Sequence, residues 1–431
     1  MDNKINTERT IAIIGLGYVG LPLATAFSEN YLVIGYDIDS LRIEQLKSGF
    51  DITGEVGNKA LQQSKVIFTT DETKLSDANF FIITVPTPVN EDLSPDTSLV
   101  IEASKIVGRY ISYGSIVVYE STVAPGFTRE CCMKILENES GYHCGCDFKL
   151  GYSPERINPS DKTNTLKTIV KIVSGIDQES LEEIAYIYSS IVGQNIHKVS
   201  SLEVAEAAKL IENCQRDVNI AFMNEISLYL AKKCINTNEV ISAMNTKWNA
   251  LKFSPGLVGG HCVGVDPYYL INDAKKLNCS CTLAEESRGI NNYMGKYIAD
   301  KAIEYLHING KTVERARIGI LGCTFKENCS DIRNSRVFDI IKYLEEENAE
   351  CIVMDPVTCK SNYNGIEVYN NLYEMKNLDC IIIAVAHKVF QKIQCNDLMK
   401  IFHDDIRIIL DVKGLFNNNR DIRNEFIYWT L

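Results

Sequence analysis

Ile11-Ala12-Ile13-Ile14-Gly15-Leu16-Gly17-Tyr18-Val19-Gly20 is the stretch that decides the fold. The apolar run 11–14 predicts a short buried strand that stops at Gly15. A helical pattern follows at about 19–29, and a second strand at 31–36 closes on Asp37. A GxGxxG between strand and helix, with an acidic residue ending the next strand, is the dinucleotide-binding fingerprint. The glycines permit a tight turn and let the backbone approach a pyrophosphate at a helix N-terminus. Asp37 would accept hydrogen bonds from the ribose hydroxyls and repel a 2′-phosphate, so NAD is expected rather than NADP. The expected cofactor-binding set is Gly15, Gly17, Tyr18, Val19, Gly20, Asp37 and Arg42, the last able to stack on adenine.

Outward from this stretch, strand-like runs recur at 66–69, 80–85, 115–119, 148–152 and 168–173, with helical patterns between them. That alternation predicts a parallel sheet covered on both faces. From Leu202 to Lys233, Val204, Ala207, Ala208, Ile211, Val218, Phe222, Ile226 and Leu230 recur at helical spacing, with no proline among them. A single long helix follows, and packing against a second copy of the chain is expected through it. A third block repeats the strand–helix theme: a strand at 317–321, a helix at 335–347, then strands at 351–354, 380–385 and 406–411. The expected fold class is α/β, with two Rossmann-like doubly wound domains joined by a long central helix and a helical middle. Boundaries fall at 1–200 for the dinucleotide-binding domain, 201–310 for the helical middle and 311–431 for the second Rossmann-like domain.

Composition narrows the function. The chain has 431 residues, 45% hydrophobic and 23% charged, with a net charge of −12. Such an acidic surface argues against nucleic acid and anionic membranes as partners. No apolar run approaches the roughly 20 residues of a bilayer span, so no membrane insertion is expected, and a cytoplasmic location is. Fifteen cysteines without a signal sequence predict reduced thiols rather than a disulfide framework. His143-Cys144-Gly145-Cys146 and Cys279-Ser280-Cys281 lack matching partner motifs, so no metal is expected.

Chemistry concentrates at few places. Thr84-Val85-Pro86-Thr87-Pro88 and Glu120-Ser121-Thr122 close strands at the edge where doubly wound sheets bind ligands. Pro86, Thr87 and Thr122 therefore join the cofactor candidates. Gly259-Gly260-His261-Cys262-Val263-Gly264-Val265-Asp266 places a cysteine between glycines, with an acid four residues on. A thiolate there can form a covalent adduct with an aldehyde. Lys209 and Asn213 share a helix face that is expected to lean inward near Ala205 and Ile211, a donor pair for an oxyanion. Ser153-Pro154-Glu155-Arg156 offers a carboxylate and a guanidinium. Lys326 and Arg333 follow the first strand of the third block, where the incomplete glycine pattern suits a nucleotide gripped by side chains.

Taken in order, GLGYVGLPLA, VPTP, STV, SPERINP, AKLIENCQRDVNIAFMNE, PGLVGGHCVGVDPYYL and FKENCSDIRNS resemble the UDP-glucose/GDP-mannose (nucleotide-sugar 6-) dehydrogenase family over about residues 10–415. His261 and the Gln215-Arg216-Asp217 segment are most similar to members that oxidise UDP-N-acetylhexosamines for bacterial capsules and O-antigens. The resemblance implies an NAD-dependent four-electron oxidation of the sugar C6 alcohol through a thiohemiacetal and a thioester on Cys262. It implies oxyanion stabilisation by Lys209 and Asn213, proton and water handling by Asp266 and Glu155, and Thr122 near the reacting carbon. Implied substrate contacts are Glu155, Arg156, Ile157, Lys209, Asn213, Arg216, Phe253, Gly256, Gly259, Lys326 and Arg333. The implied substrate is UDP-N-acetyl-D-glucosamine or UDP-N-acetyl-D-galactosamine, with UDP-glucose as the alternative, and the implied assembly is a homodimer.

Overall fold

The computed structural model describes residues 6–156, 165–358 and 361–431. Two compact units are distinguished, one comprising residues 1–212 and 268–279, the other 213–267 and 280–431.

The first unit is built on strands β1 (Asn6–Ile14), β2 (Tyr31–Tyr36), β3 (Ile67–Thr69), β4 (Phe80–Ile83), β5 (Ile116–Tyr119), β6 (Lys149–Tyr152), β7 (Lys171–Gly175) and β8 (Ile196–Lys198). Their order in the sheet is β3-β2-β1-β4-β5-β6-β7-β8. Period-two alternation divides the core: Ile11, Ile13, Phe80 and Ile82 face one apolar layer, while Ala12, Ile14, Phe81 and Ile83 face the other. Helices α1 (Gly20–Phe27), α2 (Ser40–Lys47), α3 (Asn58–Gln63), α4 (Ser98–Tyr110), α5 (Met133–Ser140) and α6 (Gln178–Val192) connect the strands. Because the chain order reverses at β1 and β4, a crevice opens at their carboxyl ends, where this topology binds ligands. The all-parallel expectation fails at one place, since β6 and β7 pair antiparallel. Strand β7 therefore runs opposite to β6.

Helix α7 (Leu202–Lys232) has 31 residues and crosses the boundary between the units. Its buried residues include Glu206, Leu210, Asn213, Asp217, Ala221 and Asn224, recurring at intervals of three and four, with Leu202, Ala205, Cys214, Met223, Ser227 and Leu230 beside them. The apolar stripe does not mark the inward face: Val204, Ile211 and Phe222 are 45%, 56% and 55% exposed. Ala205 is buried as expected, but Ile211 is not.

The second unit continues with α8 (Thr237–Met244), α9 (Asp266–Lys276, of which only the first two residues belong here) and α10 (Thr282–Ile308). Its sheet comprises β9 (Arg317–Leu321), β10 (Glu350–Met354), β11 (Asn362–Tyr363), β12 (Ile366–Tyr369), β13 (Cys380–Ile383), β14 (Ile408–Asp411) and β15 (Ile427–Thr430). The order β11-β12-β10-β9-β13-β14-β15 again reverses about a central strand, and only the β11·β12 hairpin is antiparallel. Helix α11 (Val337–Glu346) packs on α10 over one face of this sheet. Among the described residues no helix is long and apolar enough to cross a membrane. No group of three His, Cys, Asp or Glu side chains there is placed to hold a metal, and no disulfide joins the described cysteines.

Candidate active site

In the first unit the glycine loop is held from three directions. Gly15 has φ +92°, and its N–H donates to the Tyr36 carbonyl at 2.9 Å. Leu16 N–H donates to Asp37 Oδ2 at 2.7 Å, and Thr84 Oγ1 donates to the Gly15 carbonyl at 2.7 Å. A Cβ on Gly20 would sit 1.9 Å from the Gly15 carbonyl oxygen, so only glycine allows the helix to start this close. A Cβ on Gly17 would meet nothing within 4 Å, which leaves open space over the loop. Helix α1 has neither a side-chain N-cap nor an acidic residue in its first turn, so its positive end is left for an anion. Tyr18 and Val19 are half-buried beside it, and Asp37 is half-buried with lone pairs to spare for ribose hydroxyls. These residues fit a bound NAD.

Arg42 stands differently from the adenine-stacking expectation. Its side chain is 10% exposed, its Nε–H donates to the Leu16 carbonyl at 3.1 Å, and Asp51 lies 3.6 Å from Nη2. It braces the glycine loop from beneath. Burial opposes ionisation of Asp51, but hydrogen bonds from the Thr53 hydroxyl and from the amides of Gly57, Val56 and Thr53 overcome it and hold its carboxyl below the usual range.

Ser121 Oγ donates to the Val85 carbonyl at 2.7 Å, which brings the Thr122 segment beside Pro86 and Thr87. Buried Glu206 of α7 accepts from Gly126 N at 2.6 Å and Thr128 N at 3.0 Å, clamping the loop after Thr122. Burial outweighs those bonds and raises the Glu206 carboxyl above its ordinary range. Lys209 Nζ donates to the Glu155 carbonyl oxygen at 2.9 Å, which brings these two site candidates together. Glu155 is buried and Arg156 exposed, while Ile157 lies outside the described residues.

The second unit holds the cysteine. Cys262 is exposed, and its carbonyl accepts from Val265 N at 3.0 Å and Asp266 N at 2.8 Å as helix α9 begins. Asn213 Nδ2 donates to Asp266 Oδ2 at 2.6 Å, with both residues buried. Neighbouring Cys214 is a poor nucleophile, since burial and then the charges of Asp266 and Asp217 push its thiol up to about 12. A Cβ on Gly259 would lie 2.4 Å from the Asn334 carbonyl oxygen, and one on Gly260 (φ +82°) 2.6 Å from the Phe325 ring. The cysteine loop is thus seated on the loop that follows β9. His261 Nε2–H donates to Asp331 Oδ2 at 3.2 Å. Burial opposes ionisation of Asp331, but hydrogen bonds from His261 and Arg333 overcome it and hold its carboxyl well below the usual range. Arg333, a candidate for the diphosphate, forks onto Asp331 through Nε (3.0 Å) and Nη2 (2.8 Å). Lys326 Nζ lies 5.5 Å from the centre of the Phe325 ring. Arg216 and Phe253 are half-buried.

Asn224 was not visible as a site residue, yet its amide clamps the backbone of Gly256. It accepts from Gly256 N at 2.8 Å and donates to Gly256 O at 3.0 Å and to Asn291 Oδ1 at 2.8 Å. Asn291 in turn donates to Asp217, which pairs with buried Arg288 at 2.6 Å. Burial outweighs these partners and raises the Asp217 carboxyl. The signal was present in α7, where polar residues at helical spacing (Glu206, Asn213, Asp217, Asn224) were a buried stripe in their own right.

The turn after β9 repeats the glycine loop with one change. Gly322 has φ +84°, and Cys323 N donates to Asp355 Oδ2 at 2.7 Å, as Leu16 does to Asp37. Asp355 is covered by buried His387, whose Nε2 lies 3.1 Å from Oδ2. Asn328 N–H donates to His387 Nδ1, so the imidazole proton sits on Nε2, facing the carboxylate. The acid that is half-exposed in the first unit is closed off here.

Three stretches of the chain, the first of which carries the glycine loop, match models of a single family. The NAD binding domain model of the UDP-glucose/GDP-mannose dehydrogenase family matches residues 9–192. The family's central domain matches 203–293 and its UDP binding domain 319–418. Protein CapL of Staphylococcus aureus is 46% identical over 96% of this chain and 97% of its own. The chain belongs to the UDP-glucose/GDP-mannose dehydrogenase family. A UDP-N-acetyl-D-glucosamine 6-dehydrogenase of Salmonella typhi is 42% identical, covering 94% of this chain and 96% of its own. The structure of a UDP-D-ManNAc dehydrogenase from Pyrococcus horikoshii superposes with a TM-score of 0.88 at 30% identity, covering 98% of each chain. Membership makes the chain an NAD-dependent oxidoreductase that acts on a UDP-sugar.

Proposed function

We propose that this chain is a UDP-N-acetyl-D-glucosamine 6-dehydrogenase that takes the sugar C6 alcohol to the carboxylate in two oxidations. Cys262 carries this reading: an accessible thiol between glycines, on a loop whose carbonyl is fixed by the start of α9. NAD, when bound, accepts one hydride in each oxidation. In the first, C6 loses a hydride and its hydroxyl a proton, giving the aldehyde. The Cys262 sulfur adds to the aldehyde carbon to form a thiohemiacetal, which retains a reactive intermediate. Loss of the second C6 hydride leaves a thioester. Water then adds, the C–S bond breaks and the thiol is regenerated. One alcohol, two NAD and one water thus give one carboxylate, two NADH and three protons.

Lys209 and Asn213 stabilise the oxyanion, Asp266 and Glu155 move protons and direct the water, and Thr122 lies by the reacting carbon. Arg156, Arg216, Lys326 and Arg333 supply positive charge for the diphosphate and sugar. Phe253, Gly256 and Gly259 shape the sugar loop together with Ile157. The division into an NAD-binding part (1–200), a central part with the cysteine (201–310) and a UDP-sugar-binding part (311–431) belongs to the same proposal. So does a homodimer through α7, supported by its exposed Val204, Ile211, Phe222 and Tyr229. So too do a cytoplasmic location and a uronate product destined for bacterial surface polysaccharide. The N-acetylglucosamine choice is supported by the name of the Salmonella typhi relative and tested by kcat/KM on a panel of UDP-sugars. UDP-N-acetylglucosamine is expected to lead; a higher value for the N-acetylmannosamine, N-acetylgalactosamine or glucose compound overturns that choice.

A further inference from the structure

Glu155 stands over a buried ionic cluster that the two-step chemistry does not itself require. Lys171, at the start of β7, is 0% exposed. Its Nζ lies 2.6 Å from Glu120 Oε2, 3.3 Å from the Pro154 carbonyl oxygen and 3.7 Å from Glu155 Oε2. The ring of Tyr188, from α6, is 5.4 Å from the same ammonium, and its hydroxyl donates to Glu120 Oε1. From the remaining sides, Arg156 N donates to Glu155 Oε1 at 2.6 Å and Lys209 Nζ to the Glu155 carbonyl at 2.9 Å. One ammonium therefore serves two carboxylates where water does not screen them. Burying such a group is costly, and an apolar trio of the same volume would serve stability as well. The cluster also touches both chemical loops, because Glu120 directly precedes Ser121-Thr122 and Lys171 holds Pro154 and Glu155.

We propose that Glu120, Lys171 and Tyr188 are positioning residues for Glu155, and that the charge on Glu120 decides how strongly Glu155 draws a proton from the hydrolytic water. This rests on the dehydrogenase reading above. With Glu120 protonated, the whole field of the Lys171 ammonium falls on Glu155 and opposes the arrival of a proton there. With Glu120 ionised, the ammonium is divided between two carboxylates and that opposition falls. Burial, opposed by Lys171 and assisted by the charge of Glu155, pushes the Glu120 carboxyl up to about 7. Thioester hydrolysis accordingly speeds up as pH rises through neutrality.

Glu120→Gln keeps the shape and contacts of the side chain and is neutral at every pH. Single-turnover rapid quench with UDP-N-acetylglucosamine and NAD reads the decay of the thioester. The wild-type rate is expected to climb between pH 6 and pH 8, while the variant stays near the wild-type pH 6 rate. At pH 8 it is then slower by about three- to tenfold, with KM unchanged. Equal rates and identical pH profiles overturn the proposal. Infrared titration of the wild type gives a second measurement should the variant fail to fold. A protonated-carboxyl band that disappears between pH 6 and pH 8, and is displaced in Tyr188→Phe, is expected; a missing or undisplaced band overturns the proposal. No NADH from wild type with any UDP-sugar defeats the dehydrogenase reading and this inference with it. NADH formation with unaltered Glu120→Gln profiles defeats this inference alone.

Discussion

Asn224→Asp exchanges an amide nitrogen for an oxygen at the point where α7 grips the Gly256 loop. The wild-type Nδ2 faces two acceptors, Gly256 O at 3.0 Å and Asn291 Oδ1 at 2.8 Å, while Oδ1 takes the Gly256 N–H at 2.8 Å. Asn291 cannot turn its amide to help, since its Nδ2 is committed to Asp217 Oδ1 at 2.7 Å and Asp217 O at 3.1 Å. A protonated aspartic acid satisfies one of the two acceptors; an ionised one satisfies neither and is fully buried. The carboxyl must therefore keep its proton in the folded state, and burial of this kind raises a carboxyl pKa by about 3 units or more. The unfolded value is about 3.9. With the folded pKa above the unfolded one, the variant's deficit grows as pH rises past about 4 and levels near the folded value. Three units at about 1.4 kcal/mol each give roughly 4 kcal/mol by pH 7, added to about 1 kcal/mol for the lost hydrogen bond. At pH 5 the ionisation part falls to roughly 1.5 kcal/mol. Both tryptophans, Trp248 and Trp429, belong to the unit that contains Asn224, so their fluorescence in urea reports its unfolding. A deficit that is the same at pH 5 and pH 7 would refute the clamp between two acceptors.

Two further outcomes follow from the geometry. Gly20→Ala places a methyl 1.9 Å from the Gly15 carbonyl oxygen and 2.5 Å from Thr84 Oγ1, so the glycine loop must move. NAD affinity is expected to fall by about a hundredfold in calorimetric titration, and a change under twofold would contradict the fit of NAD to this loop. Phe222→Glu puts a charge in the exposed stripe of α7. Light scattering is expected to show a dimer for the wild type and a monomer for the variant, with the melting temperature of the monomer unit unchanged; a dimeric variant would remove α7 as the contact.

Much of the fold is legible in the residues because its strands are nearly continuous apolar runs. Ile11–Ile14, Phe80–Ile83 and Cys380–Ile383 are buried on both faces, and such runs can be little else between glycine turns. Antiparallel β7 was hidden because strand direction depends on the path of the connecting loop, which periodicity does not record. In α7 the inward face was expected near Ala205 and Ile211; Ala205 is buried and Ile211 exposed, and the buried face carries Glu206, Asn213, Asp217 and Asn224 among apolar residues such as Leu210 and Ala221. Apolar periodicity presumes that the buried face is apolar, and a helix that supplies a polar site breaks that presumption. Cys262, Lys209, Asn213 and Asp266 stood out because their motifs are local. Pairings such as Glu120 with Lys171, His261 with Asp331 and Asp355 with His387 join residues 51, 70 and 32 positions apart, which no local pattern reveals. Arg42, expected to stack on adenine, lies on α2 with its guanidinium turned to Leu16 and Asp51.

The covalent role of Cys262 is tested most directly by the NADH released per molecule of limiting UDP-N-acetylglucosamine, compared between the wild type and Cys262→Ala. The wild type is predicted to give two NADH per sugar and the carboxylate product. The variant, with no sulfur to hold the aldehyde, is predicted to give at most one. Two NADH per sugar from Cys262→Ala at the wild-type rate would contradict the thiohemiacetal and thioester route.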